Sequence, residues 1–260
     1  MNSCALEKIA PAINGLISRL GSQEKQIVAL EQQVRTLQSA RPNPRVLLVR
    51  GNDSSFLLDT LWELPFHLNV QVIHWGDELF PALLYNWDLV LWDLIDGFIT
   101  KKRAGTWSSK ERTAMYCYVH GGGAVLATHD TWDGGNSNSP LDLLGLKFDK
   151  PASMKIHSAV SVVQDHAVLH SYHDLGAWKG SPQAINMTHH TFSAADQSLP
   201  NSATVLSFDG QPDQHYLRVR EVGLGRSAYW AAGHSSSSLH PNELLLLTNL
   251  VAWLCKLPRQ

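Results

Sequence analysis

Two histidines stand where apolar, strand-like segments of this sequence end, and they are its best candidates for chemistry. His129 follows the run 124–128, and His234 follows a second run, 226–232, through Gly233. Histidine titrates near neutral pH, so it can move protons or bind a divalent metal. The pair therefore predicts either a general base with its partner or two metal ligands.

Other polar residues near predicted strand ends are candidates for binding a ligand. In a doubly wound sheet, ligands bind at the carboxyl ends of the strands, near the point where the strand order reverses. The candidates at these ends are Asp53, Asp93, Thr128, Asp130, Trp132 and Ser235. The alternative for Asp53 is that it caps the helix that follows it, and Trp132 could stack on a sugar ring. If a divalent metal is bound, His129, His234 and Asp130 are its expected ligands; no other cofactor is predicted.

These candidates depend on alternating strands and helices. Apolar runs rich in β-branched and aromatic residues predict strands, and helical spacing or an N-cap serine predicts helices. The predicted order is strand 45–51, helix 56–68, strands 69–76 and 87–93, helix 108–120, strand 124–128, a strand ending near 233 and a last helix 241–257. Such alternation is typical of a parallel sheet covered on both faces.

The N-terminal segment has a different pattern. Apolar residues occupy nearly all a and d positions of one heptad register, which predicts a coiled coil over residues 1–40. The expected oligomerisation residues are Leu20, Ile27, Leu30, Val34 and Leu37. Pro11, Gly15 and Gly21 favour a kink, and a single helix packed on its own domain is the alternative. A proline-containing linker, 41–44, separates this segment from an α/β domain, 45–260.

Composition narrows the function classes. The net charge of −2 and the absence of long basic runs argue against nucleic-acid or anionic membrane partners. Three widely spaced cysteines suggest neither a disulfide framework nor a structural zinc site. No run approaches the ~20 apolar residues of a membrane span. We therefore expect a cytoplasmic protein.

Several segments together resemble a known family. They are the helix–Gly121-Gly122-Gly123–strand–His129 segment, the Gly223-Leu224-Gly225-Arg226 turn, the Gly233-His234 strand end and the closing helix 244–253. In this order they are similar to the ThuA-like (trehalose utilisation) branch of the class I glutamine amidotransferase-like superfamily. The resemblance covers roughly 45–257 and implies a flavodoxin-like, doubly wound, mostly parallel sheet.

The resemblance also bears on chemistry. It implies that His129 occupies the position of the amidotransferase cysteine nucleophile and His234 lies near that of the catalytic histidine. Glutamine hydrolysis through a thiol then has no nucleophile. Because ThuA-like relatives are linked to sugar metabolism, the resemblance implies a carbohydrate or other polyol ligand. The sequence departs from the family after His234, where Ser235 replaces an expected aspartate.

Two hypotheses follow. In the first, a non-amidotransferase, pseudoenzyme-like domain serves as a ligand-binding or interaction protein, held in an oligomer or larger assembly by residues 1–40. In the second, a cysteine-independent enzyme acts on a sugar-derived substrate through His129 and His234. A hydrolase or isomerase usually needs acidic residues around its cleft, and few are found there in this sequence. This favours the first hypothesis.

Overall fold

The structure is a computed structural model of the 260-residue chain. It describes residues 43–50, 57–74, 79–93, 107–128, 140–146, 157–188, 199–232 and 238–258, together with residues 19, 20, 22, 23 and 26. The chain folds into two compact units, Met1–Arg41 and Pro42–Gln260. In the first unit the five described residues are helical and exposed. Ile27, Leu30, Val34 and Leu37 lie outside the described residues, as does most of the predicted coiled coil.

The described part of the second unit is built on one nine-stranded sheet, in the order β2-β1-β3-β4-β9-β8-β7-β5-β6. The strands are β1 (Arg45–Arg50), β2 (Asn69–His74), β3 (Leu89–Asp93), β4 (Ala124–Thr128), β5 (His157–Val162), β6 (Gln183–Thr188), β7 (Ser202–Phe208), β8 (Gln211–Val222) and β9 (Gly225–Trp230). The α-helices are α1 (Leu57–Glu63), α2 (Pro81–Leu84), α3 (Ser109–His120) and α4 (Pro241–Leu254).

The sheet is mixed, which corrects the expectation of a mostly parallel one. Strands β2, β1, β3, β4 and β9 are parallel neighbours, whereas β9, β8, β7, β5 and β6 pair antiparallel. Antiparallel strands can be joined by tight turns, so the chain adds this half without crossover helices. The parallel half is the part that positions the predicted site.

Burial explains why the central parallel strands read as continuous apolar runs. Every residue of β3 and β4 is buried, and so are the four central residues of β1. Helices cover both faces, so neither side of these strands meets water. On one face, Phe66, just after α1, packs edge-on against Tyr172, whose N–H donates to Asn249 of α4. On the other face, α2 and α3 pack together.

Local signals fix the helix starts near the site. Ser108 is the N-cap of α3, and its hydroxyl and Glu111 form a reciprocal capping box. Helix α4 begins at Pro241 with His240 as N-cap and Glu243 in the first turn. None of the described helices is long and apolar enough to span a membrane.

The predicted turn at Gly223-Leu224-Gly225 joins β8 and β9 as a hairpin. Gly223 has φ of +58°, a left-handed conformation that favours glycine. At Gly225 a Cβ atom would lie 2.1 Å from the carbonyl oxygen of Val119 and 2.2 Å from that of Gly123. The end of α3 therefore packs on this hairpin at a distance that only glycine allows.

Candidate functional site

The carboxyl ends of the parallel strands contain a topological switch point. From β1 the chain moves to β2 on one side and then to β3 on the other. Connections leave β1 and β3 in opposite directions at such a point, which opens a crevice outside the strand ends. Here those ends are Arg50 and Asp93, which are partners in the register.

Four strand-end residues lie on the same face of the sheet, and we call them the end row: Arg50, Asp93, Thr128 and Trp230. Arg50 pairs with Asp93, and Thr128 pairs with Trp230. Because Leu91 pairs with Leu126, alternation puts Asp93 and Thr128 on one face as well. The row thus crosses β1, β3, β4 and β9 as a cation, an acid, a hydroxyl and an indole.

The end row lies on the face that α4 covers. Arg226 lies four residues before Trp230 in β9, so the two side chains share a face of the sheet. The Arg226 guanidinium lies over the Trp253 ring of α4, 4.9 Å from its centroid. Trp92 points to the opposite face, where its ring lies 4.7 Å from that of Trp107. The two contacts lie on opposite faces of the sheet, one near the start of β9 and the other near the end of β3.

Asp93 is the unusual member of the row. Its side chain is fully buried, and neither carboxylate oxygen has a hydrogen-bond partner among the described residues. Burial raises the pKa of Asp93 to about 7, although the Arg50 charge acts to lower it. Removing an ionised carboxylate from water without donors is costly, so burial favours the protonated acid.

Thr128 and Trp230 complete the row on its other side, and both are fully buried. The Thr128 hydroxyl donates to the carbonyl oxygen of Trp92 at 3.1 Å, which ties the end of β4 to the end of β3. This bond holds the last residue of β4 at the edge of the sheet. The next residue in the sequence is His129.

Beyond β9, a second buried carboxyl has a structural explanation. Glu243 accepts the Tyr216 hydroxyl at 2.7 Å and the backbone N–H groups of His240 and Asn186 at 2.9 and 3.3 Å. Burial raises the pKa of Glu243, and these donors oppose that effect. Glu243 therefore joins the start of α4 to β6 and β8, whereas Asp93 has no comparable set of donors among the described residues.

The structure brings two of the predicted ligand-binding residues together, Asp93 and Thr128. Six predicted site residues lie outside the described residues: Asp53, His129, Asp130, Trp132, His234 and Ser235. Sequence reasoning missed Arg50. The signal that could have found it is the rule that identified Asp93, since Arg50 lies at the carboxyl end of a predicted strand, just before Gly51.

The cysteines of the described residues are remote from the end row. Cys117 is exposed in the last turn of α3. Cys255 caps the end of α4, and burial raises the pKa of its thiol far above the ordinary value. Neither residue ends a parallel strand. Among the described residues, no thiol is therefore placed as an amidotransferase nucleophile would be.

The histidines of the segment 166–173 are used structurally. His166 accepts the Val168 N–H at 3.2 Å, and His170 contacts the carboxylates of Asp165 and Asp174 at 2.8 and 2.7 Å. These two carboxylates raise the pKa of His170. Within the described ranges, no three His, Cys, Asp or Glu side chains converge as metal ligands. His189 and His190 lie outside those ranges.

A buried arginine anchors the segment 140–146 on β7 and β8. Arg218 donates to the Gly145 carbonyl oxygen at 2.6 Å and to the hydroxyls of Thr204 and Ser202 at 2.7 and 2.9 Å. Burial and the Arg218 charge lower the pKa of neighbouring His215 to about 4, so His215 is neutral at pH 7. The chain that leaves the end row at Thr128 is thus fixed again at 140–146.

Comparison with known proteins gives a fold. No family model matches the sequence, and no curated protein does. A putative ThuA-like protein from Bacteroides uniformis matches with a TM-score of 0.56 and 13% identity, over 83% of this chain and 93% of that one. The domain shares the fold of a ThuA-like protein. This likeness supports the α/β class and flavodoxin-like arrangement of the parallel strands.

Two further solved structures are similar to the domain. A cytoplasmic protein from Salmonella typhimurium matches with a TM-score of 0.54 and 11% identity, over 80% of this chain and 98% of that one. A β-galactosidase from Rahnella sp. R3 matches with a TM-score of 0.52 and 17% identity, over 84% of this chain but 32% of the enzyme. At these identities the likeness concerns the fold alone.

Proposed function

We propose that residues 45–260 form a ligand-binding domain that lacks the amidotransferase thiol and binds a sugar-like, polyhydroxylated molecule at the carboxyl ends of its parallel strands. The observation that carries the proposal is Asp93, a buried carboxyl at the switch point whose oxygens have no hydrogen-bond partner among the described residues. The rest of the protein, residues 1–40, holds these domains in an oligomer or a larger assembly.

Asp93 supports a binding role because it costs stability where it stands. Buried polar groups in folded proteins nearly always have partners, and an exception calls for an explanation. At the switch point of an α/β sheet the explanation with the best precedent is a ligand. By contrast, Asp88 at the other end of β3 accepts the Arg45 N–H at 2.9 Å and pairs with its guanidinium.

A polyhydroxylated ligand suits both the site and the resemblance. A protonated carboxyl offers one donor and one acceptor oxygen, which match a hydroxyl pair. The fold shared with a ThuA-like protein and with part of a β-galactosidase adds a reason to begin with sugars. Trp132, which follows the end of β4 closely in the sequence, is the proposed stacking residue.

The test is a binding experiment on the full-length protein with a panel of mono- and disaccharides, using thermal shift and then calorimetry. We expect at least one sugar to bind to the wild type and to lose affinity in Asp93→Asn. Asp88→Asn is the matched control, because it removes a carboxylate from the other end of the same strand and should leave the affinity unchanged. Binding that is equal in wild type and Asp93→Asn would reject the site.

Self-association through residues 1–40 is the second element of the proposal. Its support is the heptad pattern, together with Leu20, which is helical and 63% exposed. In the full-length chain, Ile27→Asp combined with Leu30→Asp should reduce the mass measured by light scattering to that of a monomer. Gln26→Asp, a neighbouring polar position, is the control and should keep the oligomer. An unchanged mass in the double variant would reject the coiled coil.

A second candidate function, an acid–base enzyme, has one specific observation in its favour. The pKa of Asp93 is about 7, the range that suits a group exchanging protons at neutral pH. Thr128 and Trp230 are register partners, so His129 follows one of two neighbouring strand ends in sequence and His234 comes four residues after the other. In this alternative, His129 acts as base or metal ligand and His234 as its partner.

The enzyme candidate is tested by following the same sugar panel for turnover by NMR, together with metal analysis of the purified protein. Turnover that is lost in both His129→Asn and His234→Asn would favour the enzyme. A wild type that binds a sugar without converting it, and that contains no stoichiometric metal, would favour the binding protein.

A further inference from the structure

The two edges of the sheet differ in how they are closed. At one edge, the start of α4 covers the backbone of β6. The side-chain amide of Asn242 donates to the Ala184 carbonyl oxygen at 3.0 Å, and Glu243 accepts the Asn186 N–H at 3.3 Å. At the other edge, no strand lies beyond β2 among the described residues. An edge strand with unpaired backbone groups is a template for pairing with another chain, so β2 is the edge to consider.

Strand β2 also lacks the features that usually protect an edge. Its residues, Asn69–His74, include no lysine, arginine, aspartate, glutamate or proline. They pair with β1 in one unbroken register, so no bulge bends the strand away. Every residue of β2 is exposed or half-buried, whereas β3 and β4 are buried throughout. It is therefore a regular, uncharged edge strand of the kind that suits strand addition.

The backbone of β2 determines which residues face outward. The Asn69 N–H donates to the Pro44 carbonyl oxygen at 2.9 Å, on the side of β1. Because backbone groups alternate in direction along a strand, those of Gln71 also face β1, whereas those of Val70 and Val72 face away from it. Gln71 lies midway between these two valines, and it is exposed. A two-fold axis at Gln71 would therefore let Val70 of each copy exchange backbone hydrogen bonds with Val72 of the other.

We propose that β2 is an interface between two copies of this chain, which pair antiparallel about Gln71 and join their sheets into one. A second copy fits this edge because two-fold symmetry makes the pairing antiparallel, and because an uncharged strand meets no like charge in its own copy.

The inference rests on the proposed self-association through residues 1–40. About four backbone hydrogen bonds at a strand edge bury less surface than a stable dimer needs on its own. Strand β1, the neighbour of β2, begins at Arg45, shortly after that segment. Association of the segments therefore brings a second β2 edge to a high effective concentration, at which weak pairing becomes complete.

The experiment is amide hydrogen exchange, resolved to single residues, on the full-length protein and on its monomeric variant, Ile27→Asp with Leu30→Asp. We expect the N–H groups of Val70 and Val72 to exchange at least about tenfold more slowly in the wild-type oligomer. The Gln71 N–H, which faces β1, is the internal control and should exchange at the same rate in both proteins.

A change at the two-fold axis tests the register of the pairing. Gln71→Lys places two like charges opposite each other, so it should remove the slow exchange of Val70 and Val72 while leaving the mass of the oligomer unchanged. Gln71→Thr is the matched control, because it is uncharged and favours a strand, and it should keep the slow exchange.

The outcomes separate this inference from the proposed function. Fast exchange of Val70 and Val72 in a wild type that light scattering shows to be an oligomer overturns the pairing and leaves self-association standing. Slow exchange of both in the monomeric variant also overturns it, because a segment of the same chain then covers β2. Slow exchange that survives in Gln71→Lys overturns the axis at Gln71. A monomeric wild type, or a double variant of unchanged mass, overturns self-association through residues 1–40 and this inference with it.

Discussion

Replacing Asp93 by asparagine should stabilise the protein in weakly alkaline solution. The pKa of Asp93 is raised from 3.8 to about 7 by burial. A carboxyl whose folded pKa exceeds its unfolded pKa contributes stability that is complete below the unfolded value and is lost as pH rises through the folded value. The difference corresponds to about 4 kcal/mol at 1.36 kcal/mol for each tenfold change. Wild type should therefore lose up to about 4 kcal/mol between pH 4 and pH 8 through this residue.

Asparagine has nearly the same shape and cannot ionise, so the Asp93→Asn variant avoids this loss. Urea unfolding at pH 5 and pH 8 measures it. We expect the variant to be more stable than the wild type by about 1–2 kcal/mol at pH 5 and by about 4 kcal/mol at pH 8. Asp88→Asn, which loses the negative charge that pairs with the Arg45 guanidinium at 3.6 Å, should be slightly less stable at both values. The stability advantage of Asp93→Asn over the wild type should therefore grow between pH 5 and pH 8. If it does not, Asp93 is already ionised in the folded protein at pH 5, and burial does not raise its pKa as described.

Three further outcomes test the surrounding structure by chemical unfolding. Glu243→Ala should cost about 2–4 kcal/mol because three donors lose their acceptor, whereas Tyr216→Phe, which removes one of them, should cost about 1 kcal/mol; equal losses would contradict the shared role. Gly225→Ala should lower the free energy of unfolding by about 3 kcal/mol or more, because the new Cβ would meet two carbonyl oxygens. Gly210→Ala is the comparison: its backbone is strained at φ +69° but its Cβ would lie in open space, so the loss should be about 1 kcal/mol. His170→Asn should lower the Tm more at pH 5.5 than at pH 9, since the pKa of His170 is raised by its two carboxylate partners and their attraction is lost as pH rises through that value; an equal effect at both pH values would contradict this.

The parallel half of the fold could be predicted from the sequence because its signals are local. Strands buried on both faces read as unbroken apolar runs, and Ser108 with Glu111 marks a helix start within four residues. The strands β5 to β7 carry no such signal. Residues of intermediate burial dominate β5, and the start of β7 is half-buried too, so polar and apolar residues mix. Their pairing depends on distant partners, which local patterns do not encode.

The candidate site could be predicted in part for the same reason. Strand ends are local features, so the sequence alone places Asp93 and Thr128 at strand ends. The row that they form depends on a register that only the folded sheet defines. Arg50 was missed because a charged residue at the end of a strand is usually solvated. The absence of donors around Asp93 is a property of packing, and no sequence pattern records it.

The pairing of β4 with β9 has a consequence for folding during synthesis. Thr128 and Trp230 meet across a stretch of about a hundred residues, so the middle of the sheet closes late in synthesis, after β5 to β8 have been made. Until then β4 presents an unpaired edge of five apolar or weakly polar residues, the kind of edge that recruits other chains. A chain that ends before β9 would therefore lack Trp230 of the end row and would be expected to aggregate. The last strand thus contributes both to the solubility of the nascent chain, by covering the edge of β4, and to the completion of the end row.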